Sequence, residues 1–157
     1  MMILSELLWD TLLDEFRWPR GDAERVAYID GFEFEEIRIA TTLTIPEARL
    51  CPTYFTVSGN AMSEAGKHFR NFGMQRLAQV HTHPGGDVRH SEFDDGNAYS
   101  QLDGAISIVI PYHGRRRPTV LDCGLHLRLE AGWVKLRQQE VTKLIQIVPG
   151  CLDFRRY

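Results

Sequence analysis

Residues 79–95, "QVHTHPGGDVRHSEFDD", hold His81, His83 and His90, four acidic side chains and a Pro-Gly-Gly break. Neutral imidazoles and carboxylates are the nitrogen and oxygen ligands of a catalytic zinc. His81 and His83 are two residues apart, so on an extended strand their side chains leave on the same side and can grip one ion. Pro84, Gly85 and Gly86 stop such a strand and turn the chain. A helix starting near Ser91 would bring Asp94, in its first turn, back toward the imidazoles. Two nitrogens and one carboxylate leave a fourth position for water, as a catalytic zinc requires. "SEFD" is also a capping-box pattern, with Ser91 capping and Asp94 reaching back, so the same residues carry a purely local reading.

Cysteine does not supply the ligands. Cys51, Cys123 and Cys151 are odd in number, widely spaced and form no C-x-x-C pair, which excludes a zinc knuckle and points to a reducing, cytoplasmic setting. The 157 residues suffice for one domain, 1–157, with a real core. Hydrophobic residues at 43% and charged residues at 25% are ordinary globular values. A net charge of −3 does not favour a nucleic-acid coat. Apolar runs such as "AISIVI" fall short of the roughly 18 residues of a spanning helix. The acidic start lacks the basic segment of an export signal, so neither nucleic acid nor membrane is an expected partner.

The elements that must position the cluster follow from periodicity. Leu8, Leu12, Leu13 and Phe16 share a helical face after Ser5, and Pro19 should stop that helix. "ERVAYIDGFEFEEIRIATTLTIPEA" reads as two or three strands with a turn at Asp30-Gly31. A second helix carries Met62, Ala65, Phe69 and Phe72 on one face and ends at Gly73. "RLAQVHTH" is a strand stopped by Pro84, "SEFDDGNAYSQLD" a helix, "AISIVIP" a central strand, and "DCGLHLRLE" a half-buried strand with Leu125, Leu127 and Leu129 inward. "WVKL" can pair with that last strand, and the C-terminal "RQQEVTKLIQIVPGCLDFRRY" fits either a helix or a short strand with a tail. Helices and strands mix without strict alternation. The expected fold class is α/β in the α+β sense, a mixed central sheet flanked by helices.

"HTHPGGDVRHSEFD" resembles the JAMM motif of JAB/MPN-domain metalloproteases, H-x-H-P, six residues, then S-x-x-D. That family carries an upstream glutamate in E-x-C-G-x-L-x-G. Here "ERVAYIDG" offers Glu24 and Gly31 at the right separation with Ile29 at the leucine position, while Val26 and Ala27 stand where cysteine and glycine would be. The resemblance spans about Glu24 to Ala105 and implies the family's cytidine-deaminase-like fold. It further implies Zn2+ on His81, His83 and Asp94, Glu24 as the proton carrier between water and leaving amine, and Ser91 as oxyanion donor. Glu33, Glu35, Glu36 and Glu47 are the alternatives to Glu24.

What the resemblance implies is a zinc-dependent isopeptidase or peptidase that cleaves after the C-terminal glycine of a ubiquitin-like protein. The compact chain is similar to bacterial stand-alone members encoded beside E1-like and E2-like enzymes in anti-phage operons such as CBASS, which would make the modifier, its conjugates and those enzymes the partners. Other readings are a peptidase that processes sulfur-carrier proteins, a DNA-repair-associated branch, and a non-catalytic MPN scaffold. A zinc deaminase would need a P-C-x-x-C pair, and there is none.

Around the motif, His90, Asp87 and Asp95 read as solvated loop positions, with support of the metal ligands as the alternative. His68 reads as a structural residue on the core-facing edge of the second helix. His113 with Arg115, Arg116 and Arg117 reads as a charged hairpin tip, suited, if it binds anything, to an acidic partner surface.

Overall fold

The structure is a computed structural model that describes residues 1–17, 22–152, 154 and 155. The chain begins with a short strand, β1 (Met2–Ser5), that sequence patterning missed, followed by α1 (Glu6–Arg17), which buries Trp9, Leu12, Leu13 and Phe16. Pro19, the expected stop of α1, lies outside the described residues. Next come β2 (Val26–Phe34), β3 (Ile37–Thr44), the hairpin β4 (Ala48–Cys51) and β5 (Tyr54–Val57), and α2 (Gly59–Phe72). The rest is β6 (Gln75–Thr82), α3 (Glu92–Asn97), β7 (Ile106–Ile110), β8 (Gly124–Leu129), β9 (Gly132–Lys135), α4 (Gln138–Leu144) and β10 (Ile145–Val148).

Eight strands form one mixed sheet in the order β10-β1-β3-β2-β6-β7-β8-β9, and β4-β5 stands apart as a two-stranded sheet. Alternation divides the large sheet into two faces. Ala27, Ile29, Ala78, Val80, Ile106, Ile108 and Ile110 face α1 and α4 in the main core. Val26 and Tyr28 face the other way and pack with Phe55 of the hairpin, Met62 of α2 and Tyr99. The C-terminal ambiguity resolves as both elements: α4 buries Val141, and β10 runs parallel to β1.

Two expectations are corrected. Asp30-Gly31 is no turn, because β2 runs straight through it with a bulge in its pairing to β3, and the chain reverses at Glu35-Glu36. Gly31 is there for close approach: a Cβ would lie 2.0 Å from the Ile39 carbonyl oxygen. Asp30 is fully buried and paired at 3.1 Å with Arg76, whose guanidinium lies 3.5 Å from the Tyr28 ring centroid. The second helix has its expected caps, Ser58 and Gly73, but buries no residue completely, and Phe72 and His68 are exposed.

Candidate metal centre

β6 lies between β2 and β7, paired antiparallel to one and parallel to the other, so its end is held from both sides. Val26, His81, Val109 and Gly124 form one row across four strands, and Tyr28, Gln79, Ser107 and His126 form the next row on the same face. The imidazoles of His81 and His83 have centroids 5.2 Å apart. The nitrogens of both face one carboxylate: His81 Nε2 is 3.4 Å from Asp94 Oδ1, and His83 Nε2 is 3.5 Å from Asp94 Oδ2. One ligand atom from each of the three lies within 4.8 Å of the others, the spacing of donors around one ion.

Asp94 arrives there through local chemistry. Ser91 Oγ accepts from the Asp94 main-chain N–H at 3.1 Å, and Asp94 Oδ2 accepts from the Ser91 N–H at 2.7 Å and its hydroxyl at 2.8 Å. This reciprocal capping box begins α3, so the local reading and the metal reading of "SEFD" describe one geometry. Ser91 is exposed, which leaves its hydroxyl at the rim of the site.

The ring tautomers follow from the partners. His83 Nδ1 lies 2.8 Å from the Asp87 carbonyl, which can only accept, so Nδ1 carries the proton and Nε2 presents its lone pair toward Asp94. His81 is wholly buried with no hydrogen-bond partner on either ring nitrogen, and Glu24 Oε2 is likewise buried and unpartnered. Orphaned buried polar atoms are costly, and a cation seated among these groups satisfies Nε2 of both histidines and the carboxylate together. The donor set therefore fits a divalent metal such as zinc.

Electrostatics agree with the geometry. Burial lowers the pKa of His81 and keeps its ring neutral against the pull of Asp94. Burial alone would raise Asp94, but the close approach of the His81 and His83 rings and the Ser91 N–H hold it well below the usual carboxylate range. Burial works against charge on His83 too, yet Asp94, the Asp87 carbonyl and Glu24 outweigh it and raise its pKa. Glu24 enters just before β2, its N–H bonded to the Cys51 carbonyl at 2.8 Å, and is 4% exposed. Burial raises its pKa to about 7, with His83 lowering it and Asp94 raising it. Of Glu24, Glu33, Glu35, Glu36 and Glu47, Glu24 is buried and feels the charges of His83 and Asp94, while Glu33 binds Arg38 and Gln75 at the far end of β2.

Two walls flank the centre. The β4-β5 hairpin packs Phe55 against His81, with centroids 5.4 Å apart, and Tyr54 against Phe93 of α3 at 5.1 Å. On the His83 side, the chain after β7 passes through Tyr112 and His113, both with positive φ, 54° and 51°. Their N–H groups donate to the carbonyls of Gly85 and His83. Non-glycine residues in that conformation are strained and persist where surrounding contacts hold them, commonly beside functional sites.

The fold is of the JAB1/MPN type. The chain is similar to a JAB1/MPN domain protein from Archaeoglobus fulgidus known from its crystal structure, with a TM-score of 0.50, 19% identity, and coverage of 87% of this chain and 94% of that one. It is also similar to the solution structure of protein DSY2949 from Desulfitobacterium hafniense, with a TM-score of 0.73, 18% identity, and coverage of 95% and 94%. No protein-family model and no curated protein matches the sequence. Among the described residues, no helix is long and apolar enough to cross a membrane.

Several flanking residues depart from expectation. His113 is buried at 4% exposure and bonded through Nδ1 to Thr82 Oγ1, not a hairpin tip, because the left-handed backbone turns it inward. Arg115 pairs with Asp22, and Arg117 with Asp10 and Asp14 of α1. Asp87 is indeed solvated and pairs with Arg89, but the His90 side chain is only 4% exposed. Ser107, His126 and Trp133 lie beside it, and sequence reading missed all three. Ser107 as the lone polar residue of the buried "ISIVI" strand was the available signal; His126 was hidden because its alternation assigned it to solvent.

Proposed function

We propose that this chain is a zinc metallopeptidase that cleaves after the C-terminal glycine of a ubiquitin-like protein, with His81, His83 and Asp94 holding the metal. The observation that carries the reading is the meeting of these three ligands with the buried, unpartnered Oε2 of Glu24 beside them. Zinc bound there would polarise the scissile carbonyl and lower the pKa of water to about 7. Glu24, buried beside the ligands, would take the water proton and return it to the leaving amine. Ser91, exposed and next to the ligand Asp94, turns its hydroxyl to the developing oxyanion.

The substrate preference rests on the walls. Among the described residues the β4-β5 hairpin forms no ladder with another strand, and Phe55 on His81 places it beside the metal ligands. An extended C-terminal tail can add there through main-chain hydrogen bonds. Glycine at the scissile position lets the carbonyl reach both metal and Ser91, where a larger residue would hold it off. Its partners in this reading are the modifier, its conjugates, and E1-like and E2-like enzymes of a bacterial anti-phage system.

The test incubates the zinc-loaded protein with the ubiquitin-like protein encoded nearest to it, fused at its C-terminus to a reporter, with and without chelator. Chelator-sensitive release after the terminal glycine is expected, together with its loss when that glycine is replaced by a bulky residue. Cleavage that ignores the chelator, or that falls elsewhere, overturns the proposal. Release only from precursors and never from conjugates would assign sulfur-carrier-type processing.

A further inference from the structure

His90 directly precedes Ser91, and its buried ring is held on four sides. Nδ1 lies 2.8 Å from Asp95 Oδ1 and Nε2 lies 2.9 Å from Ser107 Oγ. A carboxylate only accepts, so Nδ1 carries the proton, and the neutral ring then accepts at Nε2 from the Ser107 hydroxyl. The ring lies flat on His126, with centroids 3.8 Å apart and planes at 16°, and meets Trp133 edge-on at 5.2 Å. The main-chain N–H of His90 donates to His126 Nε2 at 3.3 Å.

These contacts matter because α3 has little else to hold it. It has six residues, too few for a helix to be stable alone, and the only side chain it buries is Asp94 itself. Phe93 is 39% exposed, and its contact with Tyr54 comes from the separate hairpin rather than from the sheet. The turn that delivers Asp94 and Ser91 is therefore tied to the sheet by directional polar contacts: His90 to β7 and β8 on one side, and Gln79 Oε1 accepting the Tyr99 N–H at 3.0 Å on the other.

We propose that His90 is a positioning residue for the metal centre: anchored to Ser107 and His126 and tied forward to Asp95, it sets the rotation and height of the Ser91-to-Asp94 turn above His81 and His83. It touches neither substrate nor ion. The claim rests on the zinc reading above, and its effect passes through the ligand Asp94, the hydroxyl of Ser91 and the ligand His81, whose ring centroid lies 5.7 Å from that of His90. Hydrogen bonds suit this task better than an apolar side chain, because they fix orientation as well as distance.

The experiment compares wild type with His90→Phe, which keeps a ring for the stack but removes both ring hydrogen bonds, and with Asp95→Ala, which cuts one tie from a half-exposed surface position. Zinc affinity, the visible absorption spectrum of the cobalt-loaded protein, and kcat and KM on the reporter fusion are measured. His90→Phe should weaken zinc binding about 10- to 100-fold. It should also change the cobalt spectrum and lower kcat with little change in KM. Asp95→Ala should do the same to a smaller degree, and it decides the question if His90→Phe does not fold. Wild-type zinc affinity and an unchanged cobalt spectrum in Asp95→Ala, and in His90→Phe where it folds, overturn the proposal. A wild-type protein that binds zinc but cleaves no fusion defeats the substrate reading while zinc affinity and spectrum still judge His90; one that binds no zinc defeats both.

Discussion

Gly124→Ala tests whether the loop between His83 and Ser91 must sit tight on the sheet for the metal to bind. A Cβ at Gly124 would stand 1.9 Å from the Val88 carbonyl oxygen and 2.9 Å from its carbon. Carbon and oxygen settle no closer than about 3.3 Å, so one of the two backbones has to move by roughly 1.4 Å. β8 is paired to β7 and β9, whereas residues 85–90 are loop, so the loop yields. That loop carries the Asp87 carbonyl that fixes the His83 tautomer, and it leads through His90 to Ser91. Overpacking of this kind costs about 1–3 kcal/mol. The metal-free protein relieves it by letting the loop lift, while bound zinc pulls the loop back, so the cost falls mainly on affinity. At 1.4 kcal/mol per tenfold, the zinc dissociation constant should rise about 5- to 150-fold. Competition against a chromophoric chelator gives that constant, and the melting temperature of the metal-free protein should drop only slightly. Gly85→Ala is the internal control, since a Cβ there meets nothing within 4 Å. Zinc affinity within twofold of wild type for Gly124→Ala, or a loss confined to the stability of the metal-free protein, would refute the reasoning.

Glu24→Gln should retain stoichiometric zinc, measured by elemental analysis, and lose turnover by about 10²-fold or more, because in the proposed mechanism Glu24 carries a proton and holds no metal. His81→Ala or Asp94→Ala should instead lose the metal while circular dichroism stays native. Asp30→Ala leaves the Arg76 guanidinium buried without its partner and should destabilise the protein by about 3–5 kcal/mol in urea titration. Burial, then His90 and His81, lowers the His126 pKa from 6.5 to about 3. The unfolded chain therefore binds a proton below about 6.5 that the folded chain refuses, and this contribution to stability is lost as pH falls through that range. Metal-free wild type should accordingly lose more stability than His126→Phe between pH 6.5 and pH 4, and parallel melting curves would count against a neutral, buried His126.

How much was legible depends on how local the cause is. His81 and His83 share a side because strand alternation is built into the backbone, and Asp94 meets Ser91 because a capping box closes within four residues. Misreadings arose where one signal has two uses. Asp-Gly marks turns, yet at Asp30-Gly31 it marks a bulge whose glycine admits the Ile39 carbonyl and whose aspartate meets Arg76 from β6. His113, set among three arginines, reads as surface until the backbone of Tyr112 and His113 turns left-handed and points it at Thr82.

The sequence by itself determined the metal-capable residue types, their spacing, the strand stop at Pro84 and the helix start at Ser91, since each depends on bond geometry and hydrogen bonds between near neighbours. Only the tertiary structure brought Glu24 to the cluster, through the antiparallel register that sets Val26 opposite His81. Only it buried His90, through a sheet order that lays β7 and β8 beside β6 so that Ser107 and His126 fall in one row under the loop. Strand order and register are settled by the packing of whole faces against α1, α4 and the hairpin, and that free energy is shared among residues far apart in the chain.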